Sequence, residues 1–173
     1  MFDVELVEQA AQLLELCRQK KLMIATAESC TGGLIAALFT EIAGSSDVFE
    51  RGFVTYSNEA KQELLGVPSE TINHWGAVSP QTAQAMARGA LQNARVNLSI
   101  AVTGIAGPGG GSTEKPVGLV YLASAIQGGL TLGKECRFGD MGRSNVRKAT
   151  VQAALKLMKR TIGSQNDQAD DRP

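Results

Sequence analysis

Apolar positions at the start of the chain recur at helical spacing. Val4, Val7, Ala10, Ala11, Leu14 and Cys17 share one side of a helix over residues 3 to about 20, with Asp3 placed as its cap. LMIATA (22–27) is a short unbroken apolar run of the length and residue type of a buried strand. TGGLIAALFTEIAG (31–44) returns to helical spacing and stops at Gly44. GFVTY (52–56) predicts a second strand. SNEAKQELLG (57–66) predicts a short helix with Ser57 as N-cap and Gly66 as its stop. VSPQTAQAMARGALQNA (78–94) predicts a longer helix capped by Ser79, with Pro80 in the first turn, where a missing N–H is harmless.

NLSIAVTG (97–104) predicts a third strand running into the glycine-rich loop GIAGPGGGSTEKP (104–116). VGLVYLASAI (117–126) and LTLGKECRF (130–138) flank Gln127-Gly128-Gly129, the pattern of a hairpin. MGRSNVRKATVQAALKLMKRTIG (141–163) predicts the last helix, and residues 164–173, which carry no large apolar side chain, a flexible tail. Strands that alternate with helices predict a three-layer α/β/α sandwich whose mixed sheet is mostly parallel, with one antiparallel pair from the late hairpin. Residues 1–163 form one domain in this reading, with no internal repeat and no linker.

Composition narrows the class. At 173 residues, 43% hydrophobic and 20% charged, the chain is long enough and apolar enough for a real core. Seventeen basic residues balance seventeen acidic ones, which argues against a nucleic-acid partner. Three scattered cysteines and one histidine offer neither a disulfide framework nor metal-ligand spacing, so no metal and no cofactor are expected. The amino terminus is acidic where a secretory signal would be basic, and no apolar stretch approaches the ~20 residues of a membrane span. The expectation is a soluble, cytoplasmic protein with no membrane partner.

In an open α/β sheet, ligands bind outside the carboxyl ends of the strands. Three such ends carry unusual content: AESCTGG, TYSNEAK and TGIAGPGGG. In the first, Ser29 and Thr31 stand where strand gives way to helix, followed by Gly32 and Gly33. Free N–H groups there can hold an oxyanion, although a serine or threonine at that point is also an ordinary cap. The pattern is not the G-x-S-x-G elbow of α/β-hydrolases. A serine nucleophile needs a base, and nothing brings His74 near Ser29. Lysine is the other route, because a desolvated amine loses its proton more readily. Lys61 follows Tyr56 by five residues, so both can face one pocket; the plain alternatives are a solvated helix lysine and a core ring.

Thr103, Gly104 and Gly107 in the third loop fit a flexible rim or an anion-binding nest, and match neither a Walker A loop nor a dinucleotide fingerprint. Cys30 beside Ser29 lacks a histidine partner and reads as packing. Arg143 and Arg147 share one face near the start of the last helix, suited to phosphate or carboxylate, or simply solvated.

Taken in order, AESCTGG, GFVTYSNEAK, GAVS, TGIAGPGGG…EKPVG and R-x-x-V-R closely resemble the CinA C-terminal domain family over about residues 5 to 160. The resemblance implies an α/β/α sandwich and metal-free hydrolysis of the carboxamide of nicotinamide mononucleotide to nicotinate mononucleotide and ammonia. It implies Ser29 as nucleophile with Lys61 and Tyr56, and a nucleotide pocket lined by Thr31 to Gly33, the glycine-rich loop and the last helix. A homo-oligomer is plausible for such a domain. Two departures stand out. Longer relatives carry a further N-terminal domain whose activities are not carried over. Gly139-Asp140-Met141-Gly142-Arg143 stands where many relatives have Gly-Asp-Arg, which puts the part of Arg143 in question and favours Arg147. An amidase for another small amide, or a catalytically silent nucleotide-binding paralogue, remains open.

Overall fold

The computed structural model describes residues 2–170, with side chains through 164. Six helices, α1 (Val4–Gln19), α2 (Leu34–Thr40), α3 (Asn58–Leu65), α4 (Ser69–Trp75), α5 (Pro80–Asn93) and α6 (Arg143–Asp170), flank five strands. The strands are β1 (Ile24–Glu28), β2 (Phe49–Val54), β3 (Leu98–Gly104), β4 (Leu119–Ile126) and β5 (Thr131–Arg137). Spatial order is β2-β1-β3-β4-β5. β2, β1 and β3 are parallel, whereas β4 pairs antiparallel with both β3 and β5. The expected mixed α/β/α sandwich is borne out, with one amendment. Antiparallel pairing is not confined to the β4–β5 hairpin, because β4 also inserts beside β3.

Strand side chains alternate between faces, and the two faces hold different cores. Ile24, Leu98, Ile100, Val102, Val120, Leu122 and Ile126 pack against α1, α2 and α6. The intervening Ala25, Ala27, Ala101, Ala123 and Ala125 face α5 and the end of α3. Small residues on this second face let α5 lie close to the sheet, and Ser99 Oγ donates to the Ala87 carbonyl at 2.7 Å. The same alternation settles the end of β1. Ile24, Thr26 and Glu28 point toward α2, so the next residue, Ser29, turns to the opposite side, where α3 lies.

Helix ends follow local chemistry. Asp3, Ser57 and Ser79 each accept a hydrogen bond from the backbone at the start of α1, α3 and α5, as their positions predict. α2 begins at Leu34 rather than near 31, because Gly32 and Gly33 take left-handed conformations (φ +58° and +95°) that hold the chain in a turn. α6 continues past 163 to Asp170, through the first part of the segment expected to be a tail; residues 171–173 lie outside the described residues. Among the described residues no helix is long and apolar enough to cross a membrane.

Candidate active site

The ends of β1, β2 and β3 meet at one edge of the sheet. There a cavity of about 210 Å³ is lined by Ser29, Cys30, Tyr56, Lys61, Ala77, Val78, Thr103, Gly104, Ala106 and Arg143. Lys61 reaches it from the first turns of α3 and is only 1% exposed. Its Nζ lies 3.1 Å from Ser29 Oγ. The same nitrogen donates to the carbonyls of Thr55 at 2.9 Å, Tyr56 at 3.2 Å and Ser57 at 3.3 Å.

Burial pulls the Lys61 pKa below the ordinary lysine value, opposed in smaller measure by Cys30 and by Glu59. The three carbonyls favour the ammonium, which has three protons to give them. A neutral amine satisfies two carbonyls and turns its lone pair toward the Ser29 hydroxyl. The cage therefore accommodates both protonation states, as a group that takes and returns a proton requires. The neighbouring Cys30 thiol is pushed up to about 11 by burial, so it stays protonated near neutral pH.

Tyr56 is 62% exposed and lines the same cavity. Its backbone carbonyl touches Lys61, while its phenol oxygen accepts from Arg143 Nη2 at 3.1 Å. Arg143 Nη1 donates to the Gly107 carbonyl at 2.9 Å. The guanidinium thus ties the glycine-rich loop to the end of β2 across the cavity mouth. Opposite, Thr103 Oγ1 donates to the Ala77 carbonyl at 2.7 Å, and Ser79 and Thr82 hydroxyls both donate to the Gly76 carbonyl. This pins the turn between α4 and α5 as a fixed wall.

Of the residues singled out in the sequence, the fold gathers Ser29, Lys61, Tyr56, Thr103, Gly104 and Arg143 around the cavity. Thr31, Gly32, Gly33, Gly107 and Arg147 are not among its lining. Gly107 instead holds Arg143 through its carbonyl. Arg147 Nη2 donates to the Thr31 carbonyl at 2.7 Å, on the side facing a separate cleft between α1, α2 and α6. Arg143 is the arginine at this cavity, because it stands at the very start of α6, beside the strand ends. Cys30, Ala77, Val78 and Ala106 line the cavity without having been singled out for it, although GAVS and the glycine-rich loop contain three of them. His74 is exposed, edge-on to Trp75 at 4.6 Å between ring centroids, and takes no part in the lining. Among the described residues no group of three His, Cys, Asp or Glu side chains is placed to hold a metal ion.

Comparison with known proteins identifies the family and the fold. The model of the CinA C-terminal domain matches residues 6–162. A CinA-like protein of Geobacter sulfurreducens is 52% identical over 147 residues, which cover 85% of this chain and 35% of that protein. The nicotinamide-nucleotide amidohydrolase PncC of Escherichia coli K12 is 46% identical over 159 residues, covering 91% of this chain and 95% of its own. Among solved structures, the competence/damage inducible protein CihA from Agrobacterium tumefaciens matches with a TM-score of 0.91 at 54% identity, over 93% of this chain and 98% of that one. The chain spans 33% to 38% of the length of several longer relatives. With the family model spanning residues 6–162 and a solved relative sharing the fold over 93% of this chain's length, the chain belongs to the CinA C-terminal domain family.

Proposed function

We propose that the protein is an amidohydrolase that deamidates nicotinamide mononucleotide to nicotinate mononucleotide and ammonia. The observation that carries this reading is the buried Ser29–Lys61 pair, 3.1 Å apart inside a carbonyl cage. The 46% identity to the Escherichia coli amidohydrolase, over 95% of that protein, supports the substrate.

Neutral Lys61 takes the Ser29 proton as Oγ attacks the carboxamide carbon. The ammonium so formed meets the carbonyls of Thr55, Tyr56 and Ser57. Collapse of the tetrahedral intermediate breaks the C–N bond, with the proton on Lys61 passing to the leaving nitrogen. Water then attacks the acyl-serine, giving its proton to Lys61, and Ser29 is regenerated. The pyridinium of the substrate brings a second positive charge near Lys61 and favours its neutral form. Arg143, with N–H groups beyond its contacts to Gly107 and Tyr56, pairs with the substrate phosphate.

The test pairs two measurements on wild-type protein with nicotinamide mononucleotide. Stoichiometric ammonia and nicotinate mononucleotide, together with a ligand-dependent rise in melting temperature, are the expected result. A melting shift with no ammonia would replace the enzyme by a nucleotide-binding protein. Ammonia from another small amide but not from this one would keep the mechanism and change the substrate.

A further inference from the structure

Glu28 stands immediately before Ser29 and is 0% exposed, yet the lysine pair makes no use of it. A carboxylate removed from water survives where its lone pairs are filled by donors. Glu28 Oε2 accepts from Thr31 Oγ1 at 2.7 Å, from the Ile35 N–H at 3.0 Å and from the Gly33 N–H at 3.1 Å. Oε1 accepts from the Ala36 N–H at 2.9 Å. The remaining donors at the amino end of α2 are also engaged, Leu34 N–H with the Thr31 carbonyl and Ala37 N–H with that of Gly33.

The amino end of α2 is therefore filled from inside by the protein's own carboxylate and has no donor left for substrate. In the turn that follows Ser29, the Gly32 N–H is closed onto the Ser29 carbonyl. Among the described residues the N–H of Cys30, a residue of the cavity lining, meets no backbone carbonyl. It lies next to the nucleophile, where charge develops on the carbonyl oxygen.

We propose that Glu28 is a positioning residue for Ser29: its buried carboxylate clamps the turn 29–33 onto α2, sets Oγ against Lys61 and leaves the Cys30 N–H as an oxyanion donor. The inference rests on the serine nucleophile of the proposed function but not on the identity of its amide substrate. Alternation along β1 explains how one dipeptide does both jobs, with Glu28 on the α2 face and Ser29 on the α3 face.

The test uses Glu28→Gln, which keeps the shape and one acceptor oxygen but sets an NH₂ against backbone donors. Two readouts are followed in folded protein. The first is the rate at which an alkyl fluorophosphonate labels Ser29, a reaction in which Oγ bonds to phosphorus, fluoride leaves and the hydroxyl proton passes to Lys61. The second is kcat and KM for ammonia release. The expected result is a fall of about tenfold or more in both labelling rate and kcat with KM unchanged, the pattern of lost alignment rather than lost binding. A folded Glu28→Gln protein with wild-type labelling rate and kcat would overturn the proposal, whatever its melting temperature. If that variant does not fold, Thr31→Val, which removes one of the four donors, is expected to slow labelling by a smaller factor at constant KM; unchanged labelling overturns the proposal there too. Wild type that labels at Ser29 but releases no ammonia from nicotinamide mononucleotide would refute the substrate and leave the Glu28 comparison standing. Wild type that does not label at Ser29 would remove both.

Discussion

Lys61 sits among three carbonyl oxygens and one hydroxyl, and its proton feels opposing influences. Burial lowers its pKa, and the carbonyls restrain the fall. In the proposed mechanism the base is the neutral form, so kcat/KM rises with pH through the Lys61 pKa and is lost as pH falls below it. The inflection is expected below the ~10.4 of an ordinary lysine. A pH–rate profile checks this; a rate that does not increase with pH in that range contradicts it. Stability follows the same sign. The unfolded chain holds the Lys61 proton at pH values where the folded one has released it, so this residue's contribution rises with pH across the window between the two pKa values. Tyr56 acts on Lys61 through its carbonyl and on Arg143 through its phenol. Tyr56→Phe should thus leave the pH inflection unmoved while reducing kcat/KM about tenfold, the size of one hydrogen bond to a charged group at ~1.5 kcal/mol. An inflection that moves in this variant would show that the phenol, rather than the backbone, tunes the lysine.

Helix α3 delivers Lys61, and its place depends on a close crossing with α5. A Cβ at Gly89 would stand 1.9 Å from the Leu65 carbonyl oxygen, at the end of α3. Gly89→Ala must push the two helices apart, at a cost of about 1–3 kcal/mol of stability. A matching loss of kcat is expected, because the shift is passed to Lys61. Urea unfolding and the ammonia assay together check this, and full activity in a destabilised variant would show that α3 and the base move independently. The same helix shows what the sequence makes legible. Ser57, Gly66 and the spacing between them announce α3, and its start and stop follow the chemistry of those two residues. β2 is less readable, running Phe49–Val54 rather than 52–56, since an edge strand with half-exposed positions has little apolar alternation to mark it. α4 escaped notice because it is one short helix after Pro68 with no capping side chain. Glu28 was illegible for another reason. A strand ending in one acidic residue reads as polar exposure, and only the fold shows four donors closing over it.

At the scale of the whole molecule, the strand order decides which loops meet. β1 lies between β2 and β3, so the ends of three parallel strands, far apart in sequence, deliver Ser29, Tyr56 and Thr103 to one edge. α6 then starts at that edge with Arg143, which joins the loop after β3 to Tyr56 beyond the end of β2. Alternation of strands and helices predicted the layers and the site edge, but not that Arg143 rather than Arg147 would reach the cavity. Both lie on one helical face, and the distinction depends on where that helix begins relative to the strands. Ser29 is the nucleophile of the proposed reaction, and ammonia release from nicotinamide mononucleotide by Ser29→Ala beside wild type tests it most directly. Removing Oγ leaves the Lys61 carbonyl cage and the cavity walls in place, so the variant is expected to fold, to show a melting shift with the substrate, and to lose at least about a thousandfold in kcat. A folded Ser29→Ala protein that releases ammonia at a rate near that of wild type would contradict the account.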